Sequence, residues 1–205
     1  MVVFLYRPCF TSKSFSLWSY WRGARLDPIN VVKKISIFGD PQVGKTALIQ
    51  RFLFDRYGED YTPTYGTSVY KKDVPVKDPS GATQGYKVTL LIWDMPGNKR
   101  YTVLHKAYYR GAEGGFVIMD AAEPSTLASV PEWVSLFREV VGPVPIILLV
   151  NKWDMVDKAS YDMGPVRRVC KELDIGSMFS SGKSGENVKD MFLNLTEAIL
   201  QVRPF

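Results

Sequence analysis

From residue 33 onward, short apolar runs alternate with stretches whose apolar positions recur at helical spacing. Residues 33–38, KKISIF, stop at Gly39 and predict a buried strand. Residues 46–54 follow as a helix, with Ala47, Leu48, Ile49, Phe52 and Leu53 at helical spacing. Residues 68–76 and 86–93 predict two strands joined by KDPSGATQG, a loop of turn formers. Pro75 sends the first of them to a sheet edge, because proline has no N–H to donate to a ladder. Then come a strand over 115–121, a helix over 127–141, a strand over 145–150, a helix over 164–173 and a short strand over 176–179. The closing helix, 187–201, puts Val188, Met191, Phe192, Leu195 and Ile199 on one face. Such alternation predicts a mostly parallel sheet covered on both faces.

Composition narrows the class. The chain has 205 residues, 46% hydrophobic and 23% charged, which suits one globular domain. Its densest apolar run, 144–150, is strand length and far short of the ~20 residues of a membrane span. Two cysteines, Cys9 and Cys170, cannot build a disulfide framework, and a single histidine, His105, cannot build a His-rich metal centre. A reducing compartment fits, and His105 and Cys170 read as structural. The net charge of +5 is uneven, with +3 in residues 1–30 and +2 in the rest. A body so nearly neutral argues against a nucleic-acid groove. Residues 1–30 also hold 7 of the 27 aromatics and only one acid. This start admits an organellar presequence, an interfacial membrane anchor or a poorly ordered extension, and it divides the chain into an extension (1–30) and a domain (31–205).

The sharpest signal is Gly39-Asp40-Pro41-Gln42-Val43-Gly44-Lys45-Thr46, which fits G-x-x-x-x-G-K-[ST] between a predicted strand and a predicted helix. Such a loop turns backbone N–H groups inward as an anion nest, and the helix start at Lys45, Thr46 and Ala47 adds a favourable dipole. Lys45 supplies charge to the β- and γ-phosphates, and the Thr46 hydroxyl can bind Mg²⁺. The loop predicts a nucleoside triphosphate without choosing its base. That choice falls to Asn151-Lys152-Trp153-Asp154, directly after the buried run PIILLV. A carboxylate at Asp154 can accept from the N1–H and the exocyclic amine of guanine, a donor pair that adenine lacks.

With these motifs in order, the sequence resembles the Ras superfamily of small GTPases and within it the Rab family. The other supporting stretches are Tyr61-Thr-Pro-Thr64-Tyr-Gly (first switch), Trp93-Asp94-Met-Pro-Gly97-Asn98-Lys-Arg-Tyr101 (second switch), Tyr108-Tyr-Arg-Gly-Ala112, and Ser180-Ser181-Gly182-Lys183 in place of the family's S-A-K loop. The resemblance covers residues 33–201. It implies a three-layer α/β G domain of the P-loop NTPase type, with a mostly parallel six-stranded sheet and one antiparallel edge strand. It also implies a GTP/GDP-dependent switch in intracellular transport, and roles residue by residue. Thr46 and Thr64 would ligate Mg²⁺ directly and Asp94 through water. Lys45 and the Gly97 amide would meet the γ-phosphate. Tyr57 would pack on the guanine, and Tyr61 would lie beside the nucleotide. Asn151 and Asp154 would read the base with Lys152 along it, and the Gly182 amide would meet its carbonyl oxygen, flanked by Ser181 and Lys183. Effector, exchange-factor and activating proteins would engage the switch loops of a monomer in the cytoplasm or at the edge of an intracellular membrane.

Several positions depart from the family pattern. Asn98 replaces the water-orienting glutamine with a side chain one methylene, about 1.5 Å, shorter, which predicts slow hydrolysis. Pro96 stiffens the second switch. Pro41 adds bulk where an arginine finger would enter, and Lys99 reverses the charge of the family's glutamate. Tyr65-Gly-Thr-Ser-Val69 replaces I-G-V-D-F, and the chain ends in Gln-Val-Arg-Pro-Phe205 instead of prenylated cysteines. Asn98 and the missing cysteine favour a rival reading, a GTP-binding scaffold with negligible turnover. A small-molecule kinase is disfavoured by NKWD.

Overall fold

The computed structural model describes residues 27–55, 66–77, 85–98 and 102–202. Six strands form one sheet in the order β2-β3-β1-β4-β5-β6. They are β1 (Ile29–Gly39), β2 (Ser68–Val76), β3 (Tyr86–Asp94), β4 (Gly114–Asp120), β5 (Ile146–Asn151) and β6 (Gly176–Phe179). All neighbours run parallel except β2, which pairs antiparallel with β3 and places Pro75 on the expected edge. β4 lies in the middle and all seven of its residues are buried, which is why it reads as a continuous apolar run.

The helices are α1 (Lys45–Phe54), α2 (Thr102–Tyr109), α3 (Val130–Val141), α4 (Gly164–Leu173) and α5 (Val188–Val202). One apolar layer joins Leu48, Ile49 and Phe52 of α1 to Phe192, Leu195 and Ile199 of α5 over Ile37, Leu90 and Phe116. The other joins Tyr109, Trp133, Phe137 and Val166 to Phe38, Val117 and Leu148 on the opposite face. The result is helices, sheet and helices in three layers.

The structure differs from the sequence reading in three places. β1 starts at Ile29, four residues before the apolar run, because its first residues pair with Tyr86–Thr89 of β3 while their side chains stay largely in solvent. The helix expected over 127–141 is a 3₁₀ turn, Pro124–Ser129, followed by α3. Pro131, lacking an N–H and crowding the carbonyl of the preceding turn, is tolerated only in the first turn of α3. The third difference is α2, which the apolar spacing did not indicate. Its apolar Val103 is 82% exposed while His105 and Tyr109 are fully buried, so its inward face carries the residues that look polar.

Candidate functional site

Every predicted site residue in the described segments lies at the carboxyl edge of the sheet, where open α/β sheets take their ligands. Tyr57, Tyr61 and Thr64 fall outside the described residues, as does Lys99.

The loop after β1 runs through Gln42 at φ 63° and Gly44 at φ 94° before α1 begins. A Cβ at Gly44 would sit 2.3 Å from Asn151 Nδ2, so glycine alone fits both the conformation and the space. Among the described residues no side chain caps α1, and its first N–H groups are left for an anion. Lys45 is buried, its ammonium donating to the carbonyls of Gly39 (2.9 Å) and Asp40 (2.6 Å). Burial lowers its pKa to about 8 against the opposing pull of Asp94 and Asp40.

Thr46 Oγ1 donates to Asp94 Oδ2 at 2.6 Å. The other carboxylate oxygen, Asp94 Oδ1, is buried without a hydrogen-bond partner among the described residues. Desolvation pushes the Asp94 pKa up, with Thr46 and Lys45 opposing. An orphaned carboxylate oxygen beside a hydroxyl, with oxygen donors only, suits a hard cation such as Mg²⁺. Three residues on, Gly97 lies against the phosphate loop: a Cβ there would stand 2.5 Å from Pro41 N and 2.8 Å from Asp40 O. Asn98 is exposed beside it.

At the other end of the site Asn151 fastens three segments together. Its Nδ2 donates to Val43 O at 2.8 Å, while its Oδ1 accepts from Ser180 Oγ at 3.4 Å and from the Gly182 amide at 3.3 Å. Ser181 Oγ donates to Asp154 Oδ1, holding one oxygen of an otherwise exposed carboxylate. Lys152, at φ 60°, extends to Asp120 Oδ2 at 2.5 Å. Beneath the loop, Trp153 stacks on Phe179 with ring centroids 3.9 Å apart. The arrangement offers an anion cradle with a buried ammonium at one end and a held carboxylate at the other.

Three supports were not legible in the sequence. Arg51 donates to the carbonyls of Gly182 (3.1 Å) and Lys183, pinning the 180–183 loop. Trp133 Nε1 donates to Asp40 Oδ1 at 2.8 Å, and Asp120 receives Lys152. Their partners lie too far along the chain for any local spacing to reveal them.

The family model described as "Ras family" matches residues 34–201. The chain belongs to the Ras family. This GTPase is 32% identical over 167 residues to "GTP-binding protein ypt1" of Schizosaccharomyces pombe, a match spanning 81% of its own chain and 79% of that protein. It is 32% identical over 170 residues to "Ras-related protein SEC4" of Saccharomyces cerevisiae, covering 82% of its chain and 75% of that protein. Against "Ras-related protein Rab-13" of Rattus norvegicus the identity is 31% over 168 residues, 82% of this chain and 79% of that one. It is a Rab-like small GTPase, a nucleotide-dependent switch that hydrolyses GTP. Members of the family generally use Mg²⁺ and bind regulators and effectors. Among the described residues no helix is long and apolar enough to cross a membrane.

Proposed function

We propose that this GTPase binds GTP and GDP between residues 40–47 and the pair of loops at 151–154 and 181–183, and works as a switch in intracellular transport. The observation that carries this reading is the Asn151 amide. By bonding Val43 O and the Gly182 N–H together, it sets the base loops at a fixed distance from the phosphate loop. Asp154 accepts from the guanine donors. The Gly182 amide meets the base carbonyl, and Lys45 faces the β- and γ-phosphates. Thr46, Thr64 and Asp94 would hold Mg²⁺, which when bound neutralises charge on the β- and γ-phosphates. Gly97 offers its amide to the γ-phosphate, and water attacks the γ-phosphorus in line, slowly, because the Asn98 amide falls one methylene short of orienting it. The bond to the bridging oxygen breaks, giving GDP and phosphate. Losing the γ-phosphate frees the loops carrying Thr64 and Gly97, which is how partner proteins would read the state. Residues 1–30 supply any contact with a membrane surface. The intact Thr64, Asp94 and Gly97 favour this switch over a scaffold without turnover.

Calorimetry with GDP, GTP and ATP tests the reading. The protein should hold guanine nucleotides far more tightly than ATP, and Asp154→Ala should abolish that preference. Equal affinity for ATP, or an unchanged preference in the variant, would overturn it.

A further inference from the structure

His105 is the chain's only histidine, and it is fully buried at the end of the first turn of α2. Its Nε2 lies 3.0 Å from the carbonyl oxygen of Pro96. A carbonyl can only accept, so the ring carries its proton on Nε2 and donates it there. The remaining nitrogen, Nδ1, is buried without a partner among the described residues, as befits a neutral ring. Pro96, with no N–H, has only this carbonyl through which its backbone can be held. The adjoining residue is Gly97, already packed on Asp40 and Pro41. On its other side the His105 ring meets Trp133, with centroids 5.3 Å apart, and Trp133 donates to Asp40 of the phosphate loop. One imidazole and one indole, in contact, therefore tie down the two loops that a γ-phosphate would join.

We propose that His105 is a positioning residue for the γ-phosphate: through its hydrogen bond to Pro96 it holds the Gly97 amide over the phosphate loop and so biases the protein towards GTP. The proposal rests on the guanine-nucleotide reading above and deepens it. GDP has no γ-phosphate for Gly97 to meet, so the bond contributes to GTP affinity and little to GDP affinity.

The test compares Kd for GDP and for a non-hydrolysable GTP analogue, both with Mg²⁺, in the full chain and in two variants. His105→Phe keeps a ring and loses the donor; His105→Gln keeps an N–H at similar reach. Phe should weaken the GTP analogue about five- to tenfold, the order expected for one lost hydrogen bond to a buried carbonyl, and leave GDP unchanged. Gln should restore most of the loss. An equal change for both nucleotides, or no change, means that His105 only fills space and overturns the proposal. Should the Phe variant not fold, the wild-type protein decides. Because there is one histidine, its imidazole N–H is a unique NMR signal in ¹⁵N-histidine-labelled chain. It should be an Nε2–H that exchanges with solvent more slowly in the GTP-analogue form than in the GDP form; equal exchange, or a proton on Nδ1, overturns the proposal. Failure of wild type to bind either nucleotide would sink the guanine-nucleotide reading instead.

Discussion

Single atoms decide much of the site's behaviour. At Gly44 the extra carbon of alanine would collide with the amide of Asn151, in a conformation that L-residues rarely adopt. Gly44→Ala should cost about 2 kcal/mol of stability, combining left-handed strain with the loss of the Asn151–Val43 hydrogen bond, and should weaken GDP and GTP alike; denaturant unfolding and nucleotide titration would show it. Asn98 works by omission. Lengthening it in Asn98→Gln returns the amide to the reach that water positioning needs, and single-turnover hydrolysis should speed up by as much as about a hundredfold; equal rates in both proteins would refute the link. The residues gathered at the sheet edge were legible because each group is a run of adjacent positions: 39–46, 93–98, 151–154, 180–183. What fastens those groups together was not. Trp133 and Asp40 are 93 positions apart, and Arg51 and Gly182 are 131 apart, so only the folded chain reveals their pairing.

Among the elements, the helices α1, α4 and α5 follow directly from apolar spacing, since each turns one greasy side to the sheet, and the central strands follow from short continuous apolar runs, since both their faces are covered. α2 breaks that rule because its inward positions are His105 and Tyr109 and its outward ones Val103 and Leu104. The same inversion makes the helix sensitive to acid. Burial lowers the His105 pKa, with Lys45 adding repulsion and the Pro96 carbonyl opposing. Tyr109, packed on the same ring, is held neutral by burial and does not titrate with it. The unfolded chain therefore takes up a proton near pH 6.5 that the folded protein resists. Stability contributed by this group is complete above that pH and falls as acid carries the solution below it, at up to about 1.4 kcal/mol per pH unit. Thermal unfolding between pH 7 and pH 5.5 should show the decline, and His105→Gln should flatten it.

For the whole molecule, the two layers of packed helices hold a sheet whose carboxyl edge carries the chemistry, and β1 links them unevenly. Its residues from Ile29 to Ile37 are zipped to β3 and those from Ile35 to Gly39 to β4, so only Ile35 to Ile37 are held on both sides. Lys33, bridged to Glu113 at 2.8 Å, sits near the point where the second neighbour begins. One strand thus has a loose tail and a clamped head, and hydrogen exchange along it should be graded: amides of 29–33 should open well before those of 35–37. The nucleotide loop grows from the clamped head. A guest molecule could not escape through unravelling of that strand without melting the middle of the protein. An exchange catalyst would have to pry apart the surrounding loops, so ligand turnover and global unfolding should run as separate clocks.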